Sequence, residues 1–159
     1  MFNKWDLLYK DKDLKLFIKC DNLLKFRLKT SKRYAMEKFL LISAGAMLGA
    51  NARYWIGDWA AHKFGANFPF GTLIINLSGS LLLGFFLTLA TERLMIDPRW
   101  RLLISVGFLG AYTTFSTYTY ESFNLISKGQ WLPGLINLFG SSILGIIAVG
   151  VGFYLGKSI

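Results

Sequence analysis

The chain has 159 residues, 53% of them hydrophobic, with a mean hydropathy of +0.42 and a formal net charge of +9. That length suits one domain, and so apolar a composition points to a membrane protein rather than a soluble one. A single cysteine, Cys20, excludes an internal disulfide and, with a single histidine, His62, a Cys/His metal cluster; that histidine lies in a polar connection and builds no Ser/His/Asp triad, and no phosphate loop or dinucleotide fingerprint is present, so the sequence gives no support for an enzyme.

Residues 1–35 hold ten Lys/Arg and four Asp, a balance of +6, so the basic character is mostly a property of this extension and not of a nucleic-acid surface. Apolar residues recur at Leu14, Phe17 and Ile18, then at Leu23, Leu24, Phe26 and Leu28. The stretch is either an amphipathic surface helix drawn to anionic lipid or a poorly ordered tail, and translation from Met36 is a third option. It lacks the apolar core and small-residue cleavage site of a signal peptide. Two parts are expected: a basic extension over 1–35 and a membrane domain over 36–159.

A membrane span needs roughly 20 residues to cross about 30 Å. Segment one runs from about Phe39 to Trp59 and contains Gly45-x-x-x-Gly49, a close-packing pattern for membrane helices. Arg53 lies toward its far end, where it either snorkels to the headgroups or faces a water-filled vestibule. Asp58 to Pro69 reads as a polar loop. Segment two, about Phe70 to Thr91, sets Thr72, Asn76 and Ser80 on one helical face. Segment three, about Trp100 to Ile126, is the unusual one. Two glycines, Gly107 and Gly110, open a stretch with six hydroxyl residues from Thr113 to Ser122, Thr114 among them. Glycines beside hydroxyls are where a membrane helix can break and offer its backbone. Segment four, about Leu132 to Gly156, sets Asn137, Ser141 and Gly145 on one face. Trp55, Trp59, Trp100 and Trp131 sit near segment ends, as interfacial residues do.

Three segments thus present neutral hydroxyl and amide rows, and no Lys or Arg lies at the centre of any span. Such donors suit an anion that sheds water, while a fixed cation would hold it too tightly to leave. Phe115 and Tyr118 share a helical face; their ring edges carry partial positive charge and either line an anion's path or simply pack a bundle. The charge bias of residues 36–159 across the membrane is weak.

The run Gly-Phe-Leu-Gly-Ala-Tyr-Thr-Thr-Phe-Ser-Thr-Tyr, from Gly107 to Tyr118, resembles the signature of the Fluc (CrcB) fluoride channels, usually Gly-Phe-x-Gly-Gly-x-Thr-Thr-Phe-Ser-Thr-Phe. Gly71-Thr72-Leu73 with Asn76 and Gly79 is similar to that family's second helix, Gly49 to Tyr54 to its first, and Asn137 with Ser141 and Gly145 to its fourth. The resemblance covers about Met36 to Gly156. It implies an all-α membrane protein with four transmembrane helices per subunit, the third broken, pairing as an antiparallel dual-topology homodimer in the cell's inner (plasma) membrane. It further implies a fluoride-selective channel that lowers cytoplasmic fluoride passively. Carried over by position, the pore residues are Phe115, Tyr118, Asn76, Thr72, Ser141 and Thr114, with Arg53 in the vestibule. A structural sodium ion at the dimer centre falls to the main-chain carbonyls of Gly110 and Thr113. Two departures stand out: Ala111 replaces a glycine, which would make the break less permissive, and Tyr118 replaces a phenylalanine, which adds a hydroxyl to the pore.

Two other functions compete. A small dual-topology, proton-coupled exporter of cationic compounds needs a carboxylate deep in a helix. None lies between Phe39 and Trp55, and only Glu121 lies inside a span, near its end. A non-transporting membrane interaction subunit would use the small-residue faces alone.

Overall fold

The computed structural model describes the backbone of residues 4–94 and 96–159 and the side chains of 32–92, 94 and 96–159. The chain divides into two compact units, Met1–Phe39 and Leu40–Ile159, and the second contains every candidate residue. Whether residues 1–31 present an apolar face lies outside the described side chains.

The described elements are all helical. Helix α1 spans Lys4–Phe64 and supplies residues to both units. The polar stretch after Asp58 is helical through Phe64, not a loop. No Gly or Pro interrupts 58–64, His62 Nε2 lies 3.6 Å from Asp58 one turn back, and Lys63 Nζ sits 5.1 Å from the Trp59 ring centre. The connection is only residues 65–69, opened by Gly65 at φ +82°, a conformation that glycine adopts without a steric penalty.

Helix α2 covers Phe70–Thr88 and continues as a π-helical turn over Leu89–Arg93. Segment three is two helices. The first, α3, begins at Pro98 with Asp97 as its cap, whose Oδ1 accepts the Arg99 amide at 2.8 Å. It runs through Pro98–Arg101, a π-helical stretch Leu102–Leu109 and a last turn Gly110–Tyr112. The second, α4, covers Phe115–Ser127. Helix α5 runs from Trp131 to Ser158, with a π-helical turn over Ile136–Gly140.

Small residues let these helices approach backbone to backbone. A Cβ at Gly49 would sit 2.1 Å from Phe108 O, so the Gly45/Gly49 pattern is the seam of α1 against α3. A Cβ at Gly152 would sit 2.1 Å from Leu81 O, which makes the same kind of seam between α5 and α2. Ile75, Leu109 and Tyr112 are buried between them, with Ala52, Ile56 and Phe108 packed alongside. Arg101 Nη2 donates to Ala90 O at 3.0 Å, tying the start of α3 to the end of α2.

Among the described residues, Phe70–Glu92 and Trp131–Ser158 are long and apolar enough to cross a membrane. Helix α5 leaves Ile136, Phe139, Ile143, Ile146 and Ile147 exposed. So large an apolar surface is a liability in water and is what acyl chains require.

Candidate functional site

The break between α3 and α4 organises the site. It lies at Thr113 and Thr114, not across Gly110 to Thr113 as the glycines suggest. Gly110 is helical, at φ −64° and ψ −35°, and Ala111 lies in the same turn. Neither position asks for glycine's freedom, so alanine at 111 costs the break nothing. Thr113 (φ −77°, ψ 158°) and Thr114 (φ −147°, ψ 120°) are extended, a geometry that β-branched residues favour.

Asn76 holds the break open. Its Nδ2 donates to Thr114 O at 3.0 Å, and its Oδ1 accepts the Thr114 amide at 2.9 Å. One side chain thereby does what a neighbouring strand would do for the extended residue. Thr114 Oγ1 in turn accepts the Thr117 amide at 3.3 Å and starts α4 as its cap. Tyr112, the last residue of α3, is anchored too: its hydroxyl lies 2.8 Å from Ser78 Oγ. Ser78 gives its own proton to Ile74 O, so Tyr112 is the donor. A Cβ at Gly79 would fall 2.3 Å from Thr113 Cγ2, so glycine is needed there for the break to dock on α2.

These bonds divert two helical donors. In a continuous helix the Thr114 amide would reach Gly110 O and the Thr117 amide would reach Thr113 O. Here both go to side chains, which leaves the Gly110 and Thr113 carbonyls without those donors. No group of three or more His, Cys, Asp or Glu stands together among the described residues, so any cation here would depend on such neutral oxygens.

Two cavities flank the break. The first, about 560 Å³, is lined by Arg53, Asp58, Thr72, Thr114, Thr117 and Glu121 among others. Arg53 therefore opens onto a concave space. Thr72 Oγ1 donates to Glu121 Oε1 at 3.0 Å across this cavity. The second, about 450 Å³, is lined by Asn76, Gly110, Thr113, Thr114, Phe115, Tyr118 and Ser141 among others, and no charged residue contributes to it. The two cavities share one lining residue, Thr114. Of the pore, vestibule and sodium residues expected from the sequence, Arg53 and Thr72 line the first cavity and Asn76, Gly110, Thr113, Phe115, Tyr118 and Ser141 the second, with Thr114 shared.

A family model described as "CrcB-like protein, Camphor Resistance (CrcB)" matches residues 40–153, most of the chain. The chain belongs to the CrcB family. Relatives named "Fluoride-specific ion channel FluC" align over about three quarters of the chain. This CrcB chain is 50% identical to the one from Chloroflexus aurantiacus over 122 residues, which are 77% of this chain and 97% of that relative. Identity to the relative from Koribacter versatilis is 47% over 115 residues, 72% of this chain and 91% of the relative. For Trichormus variabilis it is 48% over 119 residues, 74% and 87%. The family is one of ion channels, not enzymes, and nothing in the comparisons supports the exporter reading.

In this CrcB chain the two pore-candidate rings are held differently. Phe115 and Tyr118 have ring centres 5.9 Å apart, but Phe115 is 77% exposed while Tyr118 is 7% exposed. The Tyr118 hydroxyl donates to Leu138 O and lies 2.8 Å from Ser142 Oγ, both on α5. It therefore ties α4 to α5 instead of standing free in the cavity. Tyr118→Phe is expected to leave ion flux within about twofold of wild type and to lower stability by about 1 kcal/mol, the net worth of a hydrogen bond. Paired flux and thermal-unfolding measurements check this; a flux change of about tenfold or more would place the hydroxyl on the ion's route.

A second buried network was only half legible in the CrcB sequence. Ser141 Oγ donates to Asn137 Oδ1 at 3.2 Å, Asn137 Nδ2 donates to Ser122 Oγ at 2.9 Å, and Ser122 Oγ donates to Tyr118 O at 2.8 Å. The four-residue step from Asn137 to Ser141 signals the α5 half. Nothing in the spacing reveals that Ser122, on another helix, completes it.

Proposed function

We propose that the chain is a fluoride-selective channel in the cell's inner membrane, letting fluoride leave the cytoplasm passively. Four spans per subunit and an antiparallel homodimer are part of this reading. The observation that carries it is the second cavity: a broken helix held by Asn76, lined by neutral donors and an aromatic pair, with no fixed charge. Such a lining replaces an anion's water with many weak contacts, which favours conduction over retention. Arg53 at the first cavity raises local anion concentration at the entrance. Fluoride in this cavity would accept hydrogen bonds from the Asn76 amide and from wall hydroxyls whose protons are uncommitted or turn away from their protein partners. In this reading the exposed ring of Phe115 meets it edge-on.

The relatives' name, fluoride-specific ion channel, supports the ion assignment, at 45–50% identity over most of the chain. The diverted donors at Gly110 and Thr113 support the sodium reading: two main-chain oxygens without helical partners suit a hard cation. When bound there, the ion would take up the lone pairs of those carbonyls and hold the ends of the break in place.

The test is fluoride efflux from liposomes containing the purified full chain, read with a fluoride electrode, with chloride loaded as the control. Fluoride efflux with no matching chloride efflux is expected, and it should fall when sodium is withheld from both sides. Equal fluxes of the two anions, or none above protein-free liposomes, would sink the proposal. Efflux indifferent to sodium would remove the sodium part alone.

A further inference from the structure

Resting on the reading of the second cavity as an anion path, we infer that Ser80 and Ser105 are two further anion-donor residues, which take over where α5 runs out of hydroxyls. Along α5 the cavity wall steps through Ser141, Gly145 and Val149, four residues apart. Only the first carries a donor. An anion moving along this face past Ser141 would meet a bare backbone and then an isopropyl group.

The facing walls make up the difference. Ser80 comes from α2 and Ser105 from the π-helical stretch of α3, and both line this same cavity. A Cβ at Gly145 would lie 3.8 Å from Ser80 Oγ, so the side chain missing on one helix is met by a hydroxyl on the other. The bonding pattern separates these two serines from their neighbours. Thr113, Thr114, Ser141 and Ser142 in this wall each give their proton to a partner: Leu109 O, Thr117 Oγ1, Asn137 Oδ1 and Leu138 O. Ser80 makes no such bond among the described residues, and Ser105 Oγ is buried without a protein partner. A helical serine ordinarily returns its proton to the carbonyl one turn back. The wider winding of Leu102–Leu109 displaces that carbonyl for Ser105. A buried hydroxyl with no acceptor is costly, so such groups in native proteins meet water or a ligand. An uncommitted proton on a residue in the wall of a neutral cavity is the group an anion takes up when it arrives.

The experiment uses the full chain in liposomes and compares Ser80→Ala, Ser105→Ala, and the pair Ser105→Thr and Ser105→Val. The last two match in shape and differ only in the hydroxyl. Each alanine variant is expected to pass fluoride about tenfold more slowly than wild type, the effect of losing one hydrogen bond to a charged group. Unfolding midpoints should be unchanged or higher, because no protein bond is lost. Ser105→Thr should exceed Ser105→Val by about tenfold. Wild-type-like flux in the alanine variants, equal flux in the Thr and Val variants, or slowing that tracks a lowered midpoint would each overturn the inference. If wild type itself passes no fluoride, the channel reading fails and takes this inference with it; conducting wild type with unaffected variants overturns this inference alone.

Discussion

Asn76→Ala is expected to reduce fluoride efflux to the level of protein-free liposomes and to destabilise the protein by about 3 kcal/mol. The figure follows from two lost hydrogen bonds at about 1 kcal/mol each and from a stranded Thr114 amide, which costs about 1–3 kcal/mol more. Asn76 grips Thr114 by both its amide and its carbonyl. Without that grip the extended pair has no reason to stay extended, and α3 and α4 can regain the helical bonds that the break forgoes. The chemical readout is separable from the mechanical one. A variant that unfolds earlier yet conducts like wild type would show that the clamp is structural only, and one with both properties unchanged would remove Asn76 from the account altogether.

Phe115→Ile is expected to lower fluoride efflux by about tenfold or more while leaving assembly and unfolding unchanged. The ring is largely exposed in one chain, so its loss costs little packing. What isoleucine cannot replace is the partial positive charge along the ring edge; about 1.4 kcal/mol of lost stabilisation at the barrier is one factor of ten in rate. Size-exclusion chromatography and efflux on the same preparation separate the two effects. Unaltered efflux would mean the ring serves packing alone. The contrast with Tyr118 is instructive: its ring is buried and its hydroxyl is spent on α5, so the two aromatic positions should respond very differently to substitution.

The helical segments, their small-residue faces and many of the polar cavity residues were legible because membrane helices write their faces at a fixed period. Gly45 and Gly49 announced the α1–α3 seam, and Thr72, Asn76 and Ser80 announced one face of α2. Two things were not legible, for physical reasons. The position of the break was misplaced toward Gly110 because glycine is the usual signal for unusual backbone, whereas here two threonines are held extended by a side chain from another helix. Such a hydrogen bond, across 38 residues of sequence, leaves no periodic trace. The end of α1 was likewise misread, because the polar residues Asp58, His62 and Lys63 look like a loop when counted and like a helix turn when paired. The direction of the Tyr118 hydroxyl was open for the same reason: a substitution names a group but not the neighbour it reaches.

That the two cavities meet at a single lining residue has an electrical consequence. If an ion passes from one to the other, the two compartments and the contact between them act as resistors in series. On the proposed path, Thr114 would then be the element that sets the total resistance. A change of one methyl group at position 114 would on that path alter the current more than widening either compartment.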